Sequence, residues 1–363
     1  MITAADRARA TDLLAQLQAK GAQPVEAAIL QPAGTLLDLY GEDIRARAFT
    51  TTDPGAGEMM LRPDFTVPVV QAHMDGGAEP ARYCYAGEVF RRQEDDPTRA
   101  REYLQVGYEV FARDNPADAD AEVFALMSEV LAPWAPIAAS GDLGILIAAV
   151  EGLTTSARRR AALRRHIWRP VRFRRLMNRF TGAATPPAKR SALLQLVASE
   201  GPEAVIASAG TAVGLRDTAE IAARLSALID DTEVQDISKA EADVIDAILT
   251  LNGTMTEALS PLRDMAVDLP ALGPAADRLE ARAEAMARRG LAPETLAFAP
   301  ARGRTAMEYY DGFVFTLSAR GRPGQPPLAT GGRYDALTAV LGAGRSIPAV
   351  GGVIRPGLLE DPS

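Results

Sequence analysis

The sequence predicts an α+β chain, an antiparallel sheet flanked by helices and interrupted by a helical block. Three observations carry that prediction. "ARYCYAGEVFRRQ" and "REYLQVGYEVFA" read as two long strands, the second alternating Tyr103, Gln105, Gly107 and Glu109 with Leu104, Val106, Tyr108 and Val110. Residues 151–300 are rich in Ala and Arg, helical in period and poor in strand signals, whereas strands return in "GFVFTLSA" and "PAVGGVI". Residues 1–150 and 301–363 are therefore expected to form one core, with 151–300 a mostly helical insertion.

Taken in order, "DRARATDLLAQLQAKG" is an amphipathic helix with Leu13, Leu14 and Leu17 on one stripe and Gly21 as its stop. "VEAAIL" reads as a strand ended by Pro32, which cannot donate to a ladder, and "AGTLLDLYG" resumes as helix. "EMMLRPDF" is strand-like. The polar loop "EDDPTRA", with Pro97 at its turn, joins the two long strands into an antiparallel hairpin. Residues 117–133 are helical in pattern, and "LGILIAAV" reads as a buried strand passing into a helix. Pro186, Pro187, Pro202 and Gly210 punctuate the insertion. In "ATGGRYDALTAVLG", Gly331 and Gly332 suit the φ > 0 values of a strand-to-helix turn, and Leu337, Val340 and Leu341 give the helix its apolar stripe.

Composition removes several classes of function. With 363 residues and 47% apolar content the chain can bury large cores. The single cysteine, Cys84, excludes an internal disulfide, and Asp6, Arg7 and Arg9 occupy the place of a signal peptide's apolar run. A cytoplasmic protein without a membrane span is expected. Two histidines, His73 and His166, and one isolated cysteine make neither a zinc site nor a Cys-His dyad, and no metal or other cofactor is expected. His73 reads as a helix-end residue and His166 as solvated. The net charge of −8 argues against nucleic acid, although residues 157–180 hold ten arginines and no acid. Helical spacing there leaves Leu163, Ile167 and Leu176 for packing, so this is expected to be a solvated face.

From about Pro24 to Gly352 the order of motifs resembles the catalytic core of class II aminoacyl-tRNA synthetases, the histidyl enzyme in particular. The strand ending at Pro32 and the following helix look like the first motif, which builds a dimer interface. "GEVFRRQ" with "RAREYLQVGYEVF" looks like the second, and "GGRYDALTAVLG" with "IPAVGG" is similar to the approach to the third. "LRPDFT" and "EYYDGFVF" match histidyl-specific segments. The departures concern cations. Arg91 keeps the second-motif role, but the histidyl-specific arginine falls on Thr305, with Arg302 and Arg304 near enough that a short gap would supply one. The third-motif arginine falls on Leu358, behind Pro356, and Gln93 stands for a customary Glu. One preorganised cation or donor is worth about 10²–10³ in rate, so two losses would cost roughly 10⁴–10⁶, too much to support translation. Only eleven residues follow Gly352, so no C-terminal anticodon-binding domain, and no tRNA partner, is expected.

By the resemblance, Asp64, Thr66 and Gln105 lie where the family holds an α-amino group, Arg91 near the carboxylate, and Glu109 with Tyr309 and Tyr310 at an imidazole. These donors and acceptors suit histidine, and Gln105 and Glu109 share one strand face. Phe65 replaces a glycine common in synthetases and is expected to crowd the former adenylate site. A synthetase core that keeps this pocket but loses activation and tRNA reading resembles the regulatory subunits of short-form ATP phosphoribosyltransferase. That implies a non-catalytic, self-dimerising subunit of a hetero-oligomer with the catalytic subunit, serving the first step of histidine biosynthesis with L-histidine as effector. The alternatives are an active histidine-tRNA ligase, which ATP-dependent activation would reveal, and a nucleic-acid-binding paralogue, which steeply salt-dependent binding would reveal.

Overall fold

The computed structural model describes residues 2–34, 37, 48–93, 99–210, 214, 216–304 and 309–360. Its centre is a nine-stranded sheet. The strands are β1 (Gln23–Pro24), β5 (Ala81–Phe90), β6 (Glu102–Phe111), β7 (Ile137–Asp142), β8 (Gly253–Thr254), β9 (Ala297–Phe298), β10 (Phe313–Ser318), β11 (Ala329–Arg333) and β12 (Ala349–Ile354). Their spatial order is β1-β5-β6-β12-β11-β10-β7-β9-β8. The central pairs are antiparallel, but β1 joins β5, and β9 joins β7, in parallel, so the sheet is mixed where an antiparallel one was expected. A smaller sheet pairs β2 (Leu30–Pro32) with β4 (Gly57–Leu61), and β4 with β3 (Thr50–Asp53).

One face of the large sheet is the hydrophobic core. Leu104, Val106, Tyr108 and Val110 of β6, Phe313, Phe315 and Leu317 of β10, and Val350 and Ile354 of β12 are buried there. The helix Ala4–Ala19 packs on β5 and β6, and Pro116–Val130 packs on β6, β10, β11 and β12. The first of these is fixed at its start by a reciprocal capping box, Thr3 Oγ1 accepting from the Asp6 amide while Asp6 accepts from the Thr3 amide, and is stopped before Gly21 at φ +90°. The 116–130 helix packs in turn against Gly273–Arg288, so the end of the helical block lies on the core.

Within residues 151–300, which also supply β8 and β9 to the sheet, Leu163 and Ile167 are buried as their spacing predicts, and Leu176 is partly so. Not all of the arginines there are solvated. Arg159 is buried, with its Nε donating to Asp231 at 2.8 Å and its guanidinium over the Phe180 ring. His166 is half-buried rather than solvated. His73 does end a helix, Thr66–Met74, stacked on Phe111 and bonded to Tyr83.

Four local expectations change. "VEAAIL" is not a strand: only Leu30 of it enters β2, because Gln23 and Pro24 pair with β5 and the chain then crosses between two sheets. The apolar run "LGILIAAV" is wholly helical in Leu143–Gly152, capped by the Asp142 side chain, and the preceding "IAASGD" is the strand. Gly331 and Gly332 sit inside β11 and not in a turn, and Val340 is exposed on a helix of only seven residues, Asp335–Leu341. The glycines answer to crowding instead: a Cβ on Gly332 would stand 2.8 Å from the Tyr310 ring, and one on Gly331 2.4 Å from Phe315 and from the Gly351 carbonyl. Most of the expected helix after Pro32, most of the "EDDPTRA" loop, and Thr305 lie outside the described residues. Among the described residues no helix is long and apolar enough to cross a membrane, and no cluster of His, Cys, Asp and Glu could hold a metal ion.

Candidate functional site

The other face of the same sheet is polar and covered. Gln105 and Glu109 belong to it, together with Gly107 between them, Tyr83, Tyr85 and Gly87 of β5, and Gly351 and Val353 of β12. The hairpin's polar positions are therefore not turned to solvent: Gln105 and Glu109 are each 1% exposed. The cover is the segment Arg62–Met74 and the loop carrying Tyr309 and Tyr310. Small residues on the strands make room for it. A Cβ on Gly107 would stand 2.1 Å from the Tyr85 ring, and one on Gly351 would fall 1.4 Å from the Glu109 carboxylate.

Glu109 is the centre of the group. Its Oε1 accepts from Thr66 Oγ1 at 3.0 Å and from Tyr85 Oη at 2.9 Å, and its Oε2 accepts from Tyr334 Oη at 2.5 Å. These partners are all neutral hydroxyls. Burial therefore dominates and pushes the carboxyl up to about 7, against the three hydroxyls, with Asp64 nearby adding repulsion. Two oxygens offer about four acceptor positions, of which three are used, so one more donor can be taken. Burial likewise raises Tyr85, Tyr334 and Tyr310 above the ordinary phenol value, with the Glu109 charge next in each case.

Around Glu109 the remaining expected residues gather. Gln105 Oε1 is buried without a hydrogen-bond donor, a cost of about 1–3 kcal/mol unless something supplies one. Asp64, 3% exposed, accepts from the Val67 amide at the start of the 66–74 helix and faces Arg91 Nη2 at 3.9 Å. Arg91 Nε donates to the Pro63 carbonyl at 2.7 Å. Thr66 points its hydroxyl at Glu109, at the carboxylate end of the group. Tyr310 lies on Gly332 with Tyr309 edge-on to it, ring centres 4.9 Å apart. Phe65 is buried and stacks on Tyr85 at 4.4 Å, under the Arg62 guanidinium, so it fills space beside Gly87.

Of the two arginines near Thr305, Arg304 is turned away. Its Nε donates to the Ile167 carbonyl and its guanidinium lies over Phe173, within the helical insertion. Leu358 lines an open cavity of about 760 Å³ together with Arg91, Tyr103 and Arg355, and the chain around it forms a single 3₁₀ turn, Pro356–Leu358. The same insertion reaches the site once more through Trp168, whose Nε1 donates to the Tyr310 carbonyl at 3.2 Å. Sequence reasoning missed Tyr85, Tyr334 and Arg355. Period-2 counting along β5 and β12 gives the first and last, whereas Tyr334, just beyond β11, is placed only by the pairing of that strand.

Comparison with known proteins gives the family and the fold. The histidyl-tRNA synthetase family model matches residues 3–235 and 222–356. A Brucella anthropi protein called ATP phosphoribosyltransferase regulatory subunit is 33% identical over 357 residues, 93% of either chain. One of the same name from Brucella canis is 32% identical over 354 residues, again 93% of each. Among solved structures, an ATP phosphoribosyltransferase regulatory subunit/histidyl-tRNA synthetase from Bacillus halodurans superposes with a TM-score of 0.66 at 21% identity, covering 98% of this chain and 78% of that one. A histidyl-tRNA synthetase from Nostoc gives 0.62 at 15%, covering 98% and 72%. At those identities the structures speak for the fold, a class II synthetase core.

Proposed function

We propose a function from one premise: this chain belongs to the ATP phosphoribosyltransferase regulatory subunits, within the histidyl-tRNA synthetase family. Its function is that of such a regulatory subunit in histidine biosynthesis, and not that of a tRNA ligase. It assembles, itself a dimer, with the short-form catalytic subunit, contributes no catalysis of its own, binds no tRNA, and passes on inhibition by free histidine from a pocket of Asp64, Thr66, Arg91, Gln105, Glu109, Tyr309 and Tyr310.

The observation that carries the pocket is the pair of unmet acceptors. Glu109 is a buried carboxylate solvated by hydroxyls, and Gln105 Oε1 has no donor. An imidazole N–H and an ammonium supply what each lacks. The apolar Leu358 at the third-motif position and the burial of Arg304 against Ile167 and Phe173 support the absence of activation chemistry, which needs cations around a triphosphate. Linkage then suffices for regulation, because histidine need only prefer one state of the assembly.

The test mixes the purified chain with the short catalytic subunit of its own organism. The expected results are co-elution on a sizing column, a raised turnover, and inhibition by histidine that Glu109→Ala removes while assembly persists. Separate elution with unchanged turnover overturns the partner. Histidine-dependent ATP–pyrophosphate exchange by the chain alone overturns the non-catalytic reading.

A further inference from the structure

Arg355 is a cation at the edge of the pocket whose partners are all uncharged. It follows β12 directly and is partly buried. Nη1 donates to the Pro327 carbonyl at 2.8 Å and Nη2 donates to Thr330 Oγ1 at 3.2 Å, with Tyr103 beside it on the same cavity wall. Among the described residues it makes no ion pair, in contrast to Arg282 and Arg333, each of which meets a carboxylate within 2.8 Å. Desolvation accordingly disfavours its charge, and the neighbouring Arg91 adds to the effect. Those bonds use its donors but leave its charge without a counter-charge.

The register supplies a reason. Glu109 pairs with Gly351 and Gly107 with Val353, so the row continues to Gln105 and Arg355. Arg355 leans back on Thr330, the partner of Val353, one row from Glu109. The Arg355 backbone stands two rows, about 13 Å, from Glu109, and the lean toward Thr330 brings its guanidinium back toward one row, about 6.6 Å, the kind of span that an extended amino acid bridges between its ring and its carboxylate. Arg355 also lines the open cavity beside Arg91 and Tyr103, which borders the Glu109 group without including it, so an anion can approach Arg355 from that side. The unmet charges on this face are thus a carboxylate at one end and a guanidinium at the other, with the donor-less Gln105 oxygen in the same row. A zwitterion with an imidazole side chain complements that pattern, and neither group has a counter-ion among the described residues.

We propose that Arg355 receives the α-carboxylate of the bound amino acid, so that the pocket reads histidine from both ends and rejects imidazole compounds that lack a free carboxylate. The proposal rests on the histidine pocket described above. Arg91, expected near the same carboxylate, is tied to the Pro63 carbonyl and faces Asp64, so Arg355 is the one of the two that lacks a carboxylate neighbour among the described residues.

The test is a ligand-observed NMR titration of wild type, Arg355→Met and Arg355→Lys with L-histidine and with histidine methyl ester, after thermal melts establish that the variants fold. A charge-assisted hydrogen bond is worth roughly ten- to a hundred-and-fifty-fold in affinity. Wild type is expected to prefer histidine to the ester by about that factor, Arg355→Met to lose the preference by binding both as wild type binds the ester, and Arg355→Lys to keep part of it. Equal weakening of both ligands by Arg355→Met, or unchanged histidine affinity, overturns the role of Arg355 while leaving the pocket intact. No saturable histidine binding by wild type overturns the pocket and this proposal together.

Discussion

On one face of the nine-stranded sheet, carboxylates are held by guanidinium groups, and on the other, one is held by hydroxyls. Asp120, 1% exposed, lies between Arg282 Nε at 2.8 Å and Arg333 Nη2 at 2.6 Å, while Arg282 Nη1 reaches Asp142 at 2.8 Å. Asp142 also caps the 143–152 helix through the Gly144 amide, and Arg282 stacks on Phe313. Every charge there has an opposite charge in contact, and the network ties together the 116–130 and 273–288 helices and the end of β11. Glu109, equally buried, has Thr66, Tyr85 and Tyr334 and, among the described residues, no cation. The first arrangement is complete within the protein. The second leaves a proton on the carboxyl near neutral pH and one acceptor position open, which on the proposed function a cationic or N–H-bearing ligand would fill.

The largest expected effect breaks the complete cluster. Arg282→Met leaves Asp142 without a guanidinium and Asp120 with Arg333 alone, and removing one partner of a buried ion pair costs about 3–5 kcal/mol. Urea denaturation should show that loss, while the folded fraction keeps its histidine affinity. A variant that unfolds at the wild-type urea concentration would mean that the two faces do not differ as described.

Next in size is the response to pH. The folded-state value of about 7 for Glu109, against 4.5 in the unfolded chain, means that the folded protein holds the extra proton between those values. Stability should then fall as pH rises from about 4.5 to 7 and level off above, by on the order of 3 kcal/mol from this residue. Asp311, also pushed up to about 7 by burial and by Asp335, contributes in the same direction. Denaturation midpoints at pH 5 and pH 8 measure the slope, and Glu109→Gln should flatten it without abolishing it. An identical slope in the variant would remove Glu109 from the account.

How much of this was legible in the sequence follows from what each residue's neighbours are. Alternation along β6 gave both faces, because a strand sorts its side chains by parity alone. It could not tell solvent from a second packed layer, which is why Gln105 and Glu109 carry meaning only once the 62–74 segment is seen to cover them. The glycines of β11 were visible but misread: their cause is a ring from the 309–310 loop and a carbonyl from β12, neither near in sequence. Arg355 and Arg282 look alike in a sequence. One meets Asp120 across 162 positions and the other meets only neutral groups, and pairing at that range has no local signature.

Smaller again is the direct test of the incomplete site. Glu109→Gln keeps shape and removes charge, so an imidazole N–H loses a charged acceptor worth about 1.5–3 kcal/mol. Histidine affinity should drop by roughly ten- to a hundred-and-fifty-fold in a calorimetric titration, with stability at pH 8 equal to or above that of wild type. The comparison predicts these opposite signs. A variant that loses binding and stability together would make Glu109 structural, like Asp120.

The smallest effect sharpens the contrast within the Glu109 group itself. Tyr334→Phe removes one hydroxyl, the donor to Oε2 at 2.5 Å, and leaves Thr66 and Tyr85 on Oε1. A donor lost from the carboxylate raises its proton affinity further, so the pH at which stability levels off should move upward, above about 7. The ring stays to cover the site. Because Oε2 is the oxygen with fewer partners, the ligand can take the vacated position once the carboxyl ionises, which offsets part of the loss. Histidine affinity at pH 7 should therefore weaken by about 1 kcal/mol, near five-fold, and most of that should return at pH 8.5, where Glu109 is ionised in both proteins. A penalty that stays constant across that pH range would mean that Tyr334 contacts the ligand and does not act through Glu109.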